Sequence, residues 1–344
     1  MEARGRTGRT GQPTLEEVAA RAGVGRGTVS RVINNSPRVR DSTRQLVQQA
    51  IAELGYLPNR AARALAGSRT DAVALVVPET EKRFFAEPYF SEVLHGVGTE
   101  LADTEMQLLL TLVRTEKERA RFLQYAHAGR VDGVLLVSVH GSDSLPDQLA
   151  AMGLPTVLSG RRSAGEPVSY VDSDNVGGAR AAVRHLTETG RRRIATITGP
   201  LDMYAAQCRL TGYQEAVAAA GGDPDPSWTE HGDFTEESGL RAMTELLARH
   251  PDLDAVFAAS DVMAAGALHA LRAAGRRVPE DVAVVGFDDS PIARHTEPRL
   301  TSVRQPVEEM GRAMARVLLE SIENPAAPGQ HVVLPTKLVR RASS

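Results

Sequence analysis

The chain has 344 residues, which at about 150 residues per domain predicts two domains or three. With 42% hydrophobic and 24% charged residues it reads as globular, and 19 Pro and 30 Gly scattered without period exclude collagen. The formal charge of −3 hides an asymmetry: residues 1–70 carry +7, from twelve Arg against five acids, and residues 71–344 carry −10. A basic head on an acidic body is the pattern of a nucleic-acid module joined to something else. The single cysteine, Cys208, excludes an intramolecular disulfide and a cysteine zinc site, and suits a reducing cytoplasm. No run approaches the roughly 18 apolar residues of a membrane helix, and residues 1–13 are expected not to be a secretory signal.

Residues 1–13 read as a flexible basic arm in which Arg4, Arg6 and Arg9 either touch phosphates or form part of a disordered leader. Residues 14–58 read as a three-helix head. Thr14 stands three residues before Glu17, a capping box, and Leu15, Val18, Ala19 and Ala22 follow at helical spacing up to Gly23. Gly25 stands where a second cap belongs, ahead of a helix from about Arg26 to Ile33 that buries Val29, Val32 and Ile33. A third helix is expected from Asp41 or Ser42 to Leu54, ended by Gly55.

Residues 59–70 read as a hinge helix and linker, capped by Asn59 and stopped by Gly67. Its seven or so residues fall below the ~12–15 that an isolated helix needs, so it should form only when supported. From Asp71 apolar strands alternate with amphipathic helices. Strands are expected at 72–78, 106–113, 131–139, 155–159, 193–199, 254–260 and 281–287. Helices are expected between them, for example over 89–103, 174–189, 205–220, 235–249 and 261–274, and a last helix (307–322) precedes a last strand (331–339). That pattern predicts two parallel α/β sheets with a cleft between them. One lobe should comprise about 71–172 and 306–330, the other about 173–305 and 331–340.

The head has the spacing of a helix–turn–helix. Arg26, Gly27, Thr28, Ser30 and Arg31 surround the buried Val29 on the second helix, with Asn34 and Asn35 after it. Such a helix fits the major groove, where Arg can read guanine with two hydrogen bonds. A generic helical hairpin with solvated Arg is the plainer reading. No phosphate loop, G-x-S-x-G elbow or H-E-x-x-H pair is present, and the nine His lack metal spacing. An enzyme is not expected, and neither is a cofactor or a metal. Gly96 and Gly98 lie inside an apparent helix, which points to packing, and Cys208 reads as a small buried side chain.

Three strings carry a resemblance: Thr14–Val24, Thr28–Asn34 and Ala52–Ala62. They closely resemble the head of the lactose/galactose repressor (LacI/GalR) family. The body is similar too, in Val131-Asp132-Gly133, Gly199-Pro200, Arg209-x-x-Gly212-Tyr213, Gly232–Thr235, Ser260-Asp261 and Val285–Asp289. The resemblance implies an all-α helix–turn–helix head on a periplasmic-binding-protein-like core. It implies a homodimer on a palindromic operator, controlled by a small molecule, most simply a sugar. A nucleobase or a protein corepressor is the alternative effector, and a pure sugar-binding protein the alternative class. Two positions depart from the family: Gly25 replaces the usual Ser, and Gly160, followed by Arg161 and Arg162, replaces a frequent Asp.

The resemblance also assigns residues. Thr14, Ser30 and Asn34 would hold phosphates, Arg26, Gly27, Thr28 and Arg31 would face bases, Asn59 would cap the hinge helix, and Leu65 would wedge into the minor groove. In the core Arg209, Asp288 and Ser260 would contact effector, with Tyr89, Phe90, Arg161 and Phe234 as further cleft residues. The plainer alternatives are an Arg209–Asp288 ion pair linking the lobes and a core place for Phe234.

Overall fold

A computed structural model describes residues 13–33, 36, 38–56 and 69–344. They form two compact units, divided between residues 70 and 71. The expected hinge helix, with Asn59 and Leu65, lies outside the described residues, as does Asn34.

The head has three helices, α1 (Leu15–Ala22), α2 (Arg26–Ile33) and α3 (Asp41–Leu54). The Thr14 hydroxyl accepts from the Glu17 amide at 3.3 Å and the Glu17 carboxylate accepts from the Thr14 amide at 2.7 Å, completing the expected capping box. Gly23 and Gly55 end α1 and α3 at φ +67° and +62°, a conformation that costs a residue with a Cβ about 1–2 kcal/mol. Val18, Ala19, Val29, Val32, Val47, Ala50 and Tyr56 make the small core.

The second unit holds two six-stranded sheets. The first has strand order β11-β5-β4-β3-β1-β2, with β1 (Ala72–Val77), β2 (Gln107–Leu112), β3 (Gly133–Leu136), β4 (Thr156–Ser159), β5 (Ser169–Ser173) and β11 (His331–Leu334). The second has order β12-β10-β9-β8-β6-β7, with β6 (Ile194–Thr198), β7 (Thr229–His231), β8 (Ala255–Ala258), β9 (Ala283–Asp288), β10 (Thr301–Arg304) and β12 (Lys337–Val339). Every pairing is parallel except β10 with β12. Helices cover both faces, which explains why β1, β3 and β8 are unbroken apolar runs.

The lobe boundaries need two corrections. The last strand was expected to lie wholly in the second lobe, but the chain divides it. His331–Leu334 pairs parallel with β5 in the first sheet, and only Lys337–Val339 joins the second. Pro335-Thr336 makes the crossing, because proline has no amide to donate to either ladder. The second lobe also extends past residue 340. The fully buried Ser343 accepts at its carbonyl from the Val284 amide (2.8 Å) and donates its hydroxyl to the Val284 carbonyl (2.6 Å).

Strands β5, β7 and β10 were not anticipated, because each is short and carries polar residues. The helix α4 (Glu81–Ala86), between β1 and β2, was not named either; its six residues offer too few periodic positions to register. Gly96 is buried in α5 (Pro88–Leu101), where a Cβ would stand 2.0 Å from the Glu308 carbonyl oxygen, so its role is packing.

Candidate functional site

On the head, the exposed face of α2 presents Arg26, Gly27 and Arg31, with Thr28 and Ser30 half-buried beside them. Arg26 is held by Glu16 at 3.1 Å, both side chains largely in solvent, while Arg44 bonds the Ser36 carbonyl at 2.8 Å and fixes the turn after α2. An exposed pair of this kind contributes little to stability, so Arg26 remains available to another acceptor.

In the second unit every strand that flanks the cleft delivers side chains from its C-terminal end, where open α/β sheets bind ligands. The first lobe contributes Ser138 after β3, Ser159 at the end of β4, Gly160 and Arg161 after it, and Asp172 in β5. The second contributes Phe234 after β7, Ser260 after β8, Asp288 at the end of β9 and Gln305 after β10. From α4 and the start of α5 come Arg83, Tyr89 and Phe90; Glu87 sits between these helices. Together they line one interlobe cleft that opens to solvent.

All seven cleft residues anticipated from the sequence line this space. Their partners were not anticipated. A continuous polar chain runs along the floor. Arg161 donates to Asp172 (3.0 Å), and Asp172 accepts from Asn175 (3.0 Å). Asn175 in turn accepts from Arg209 (2.8 Å), which lies 3.6 Å from Asp288, and Gln305 bridges Asp288 (2.7 Å) to Ser173 (2.8 Å). Asn175 opens α8 (Asn175–Glu188) directly after the first crossing between lobes, and Gln305 sits at the second. The floor of the cleft therefore includes two of the crossings between the lobes.

Arg209 lies on α9 (Tyr204–Ala219) and Asp288 on β9, both in the second lobe, so their pair does not link the lobes. Burial lowers the Arg209 guanidinium from its ordinary pKa, with Asp288 opposing, and the plane stacks 3.8 Å from the Phe287 ring centroid. Burial likewise pushes the Asp288 carboxyl up to about 6 against the pull of Arg209, and raises Asp172. Glu87 is pushed up to about 7 by burial although Arg83 bonds it at 2.7 Å. The Tyr89 hydroxyl, pushed to about 12 by burial, shares a 2.6 Å hydrogen bond with Ser159.

Three anticipated residues divide their roles. Ser260 caps α11 (Asp261–Ala273) by accepting from the Met263 amide at 3.2 Å, leaving its own proton to donate. Phe234, at φ +69°, packs on the second lobe's core and also lines the cleft. Phe90 is 2% exposed and offers the cleft an edge. Cys208 is buried, as read from the sequence.

A helix–turn–helix head followed by a two-lobed α/β core with a polar interlobe cleft defines a ligand-responsive DNA-binding regulator. Residues 14–59 match the bacterial regulatory proteins of the lacI family, and residues 183–344 match the periplasmic binding protein-like domain. The HTH-type transcriptional regulator CelR of Thermobifida fusca is 54% identical over 96% of this chain and 98% of its own length. The chain belongs to the LacI family of transcription regulators, and it is not an enzyme. Among solved structures, a complex of the regulator CelR with cellobiose is 53% identical, with a TM-score of 0.77 over 96% of this chain and 100% of that one. A lac repressor dimer bound to operator and the anti-inducer ONPF is 29% identical, with a TM-score of 0.82 over 97% of this chain and 99% of that one.

Proposed function

We propose that the protein is a cytoplasmic repressor that binds a palindromic operator as a homodimer and changes its grip when a neutral β-linked oligosaccharide, cellobiose in the first instance, enters the cleft. The observation that carries the sugar reading is the polar chain from Arg161 through Asp172, Asn175 and Arg209 to Asp288 and Gln305. Its cations are already neutralised by carboxylates and carbonyls, so the cleft favours a ligand with many hydroxyls and no net charge. Arg209, Asp288, Ser260, Tyr89 and Arg161 would bond the hydroxyls, and Phe234, with an edge of Phe90, would face a sugar ring. The cellobiose bound to a relative of 53% identity supports the same ligand class.

In the head, Thr14, Ser30 and Asn34 would hold phosphates and Arg26, Gly27, Thr28 and Arg31 would face bases, with Asn59 and Leu65 serving the hinge helix. Effector and operator would prefer different lobe and dimer geometries, each biasing the other. Calorimetry of the full chain with cellobiose, glucose, adenine and guanine, paired with operator gel shifts, tests this. Cellobiose should bind and alter operator affinity. Binding of a nucleobase alone, or retention of specific DNA binding by a fragment lacking residues 1–70, would overturn it.

A further inference from the structure

Next to the cleft-lining residues Val139 and Met203 the two lobes touch through side chains that play no part in the floor network. His140, in the loop after β3, meets Asp202, in the loop after β6, with its Nδ1 2.7 Å from the carboxylate. The next amide, Gly141, donates to the Asp202 carbonyl at 2.7 Å. Nearby, Lys82 of the first lobe stands 3.9 Å from Glu237 of the second, and the Arg83 guanidinium lies 5.8 Å from the Phe234 ring centroid. The His140–Asp202 contact is the tightest side-chain bond among these and the only one fixed by a backbone hydrogen bond beside it.

We propose that His140 and Asp202 form a latch between the lobes beside the cleft, positioning them in the closed state that retains effector. This rests on the cleft being the effector site, but the latch itself is a property of the ligand-free chain.

The latch is built to depend on protonation. The His140 Nε2 lies 3.7 Å from Glu79 on its own lobe, so the imidazole sits between two carboxylates, one from each lobe. Proximity to Glu79, and then the bond to Asp202, outweigh the burial that opposes them and raise the imidazole above its ordinary pKa. Glu79 itself is pushed up by burial, but His140, Ser138 and Arg83 together hold it below the usual carboxylate range, so it stays charged. The other charged groups packed around this loop already have partners. Asp143 is paired with Arg119 at 2.6 Å, and Arg162 with Asp147 and Glu166, each at 2.7 Å. Arg83 is paired with Glu79 at 2.9 Å and Glu87 at 2.7 Å. Glu79 stays beside His140 whether the lobes are open or closed, so only the pull of Asp202 bears on closure; it favours the closed state while the imidazole is protonated and fades as pH rises through the raised value.

Hydrogen exchange at the Gly141 amide reads closure directly, because its acceptor lies on the opposite lobe. The ligand-free full chain, His140→Gln and Asp202→Asn should be compared at pH 6.0 and 8.5 after correction for intrinsic exchange. The wild type should be protected more strongly at pH 6.0, by roughly two- to fivefold over either variant, the range of a partly exposed ion pair. The wild-type advantage should shrink at pH 8.5, where the imidazole loses charge and only a neutral hydrogen bond to Asp202 remains. Equal protection at pH 6.0, or a wild-type advantage that does not shrink at high pH, would overturn the latch. A second measurement, the dissociation rate of cellobiose by stopped flow, should rise in both variants by a similar factor at pH 6.0. Cellobiose that fails to bind any of the proteins would defeat the sugar reading and leave the exchange result to decide the latch.

Discussion

Arg209 and Asp288 face each other at 3.6 Å within one lobe, and each is shifted by burial toward its neutral form. Burying such a pair is costly, and the hydroxyl groups of a ligand can complete the hydrogen bonds that burial takes from it. Asp288→Asn should lower sugar affinity at least tenfold, corresponding to about 1.5–3 kcal/mol for a hydrogen bond to a charged group, while the fold and operator binding persist. Arg209→Met should instead destabilise the core by about 3–5 kcal/mol, since the buried Asp288 loses its cation. Calorimetry and chemical denaturation separate the two outcomes. Unchanged sugar affinity in Asp288→Asn would remove that residue from the site.

Glu87 provides a pH test. Its carboxyl is pushed up to about 7 by burial, from the ordinary 4.5, so the folded state holds a proton that the unfolded chain has released. Wild-type stability therefore falls as pH rises from about 4.5 to 7 and levels off above that. Glu87→Gln lacks this loss. Its melting temperature relative to wild type should climb between pH 5 and 8, by up to the equivalent of about 3 kcal/mol at 1.36 kcal/mol per pKa unit. A difference independent of pH would show that Glu87 is ionised throughout.

The Gly96–Gly98 pair separates packing from propensity on one helix. Gly96→Ala should cost about 1–3 kcal/mol, because its Cβ would stand 2.0 Å from the backbone of the helix Val307–Glu323. Gly98 is exposed, with open space where a Cβ would go, so Gly98→Ala should stabilise by up to about 1 kcal/mol. Urea titrations of both variants give the signs.

Arg31 is exposed on α2, and Arg31→Ala should weaken operator binding by roughly 1–3 kcal/mol and relax preference at one base pair. Competition assays across single-base operator variants measure this. A uniform loss over all sequences, with the salt slope reduced by about one, would make Arg31 a phosphate contact instead.

What the sequence determined by itself is local. Thr14 and Glu17 declare the start of α1 because a capping box closes within four residues, and Gly23 and Gly55 declare helix ends through one backbone conformation each. The runs at β1, β3 and β8 are legible because a strand covered on both faces must be apolar at every position. Arg209 and Asp288 were named through the family resemblance of the motifs that hold them, and both line the cleft. The tertiary structure decided the rest. Nothing near Asp172, Asn175 or Gln305 marks them as cleft residues, since they meet only where the chain crosses between lobes, about 130 residues apart for Ser173 and Gln305. The split of the last strand at Pro335 depends on which sheet edge each half can reach. The shifts at Glu87 and Asp288 arise from burial by distant segments, and so does the closeness of His140 to Asp202 across 62 positions. Hydrogen bonds within a turn are set by neighbouring residues, whereas burial and the meeting of charges are set by everything the fold packs around them.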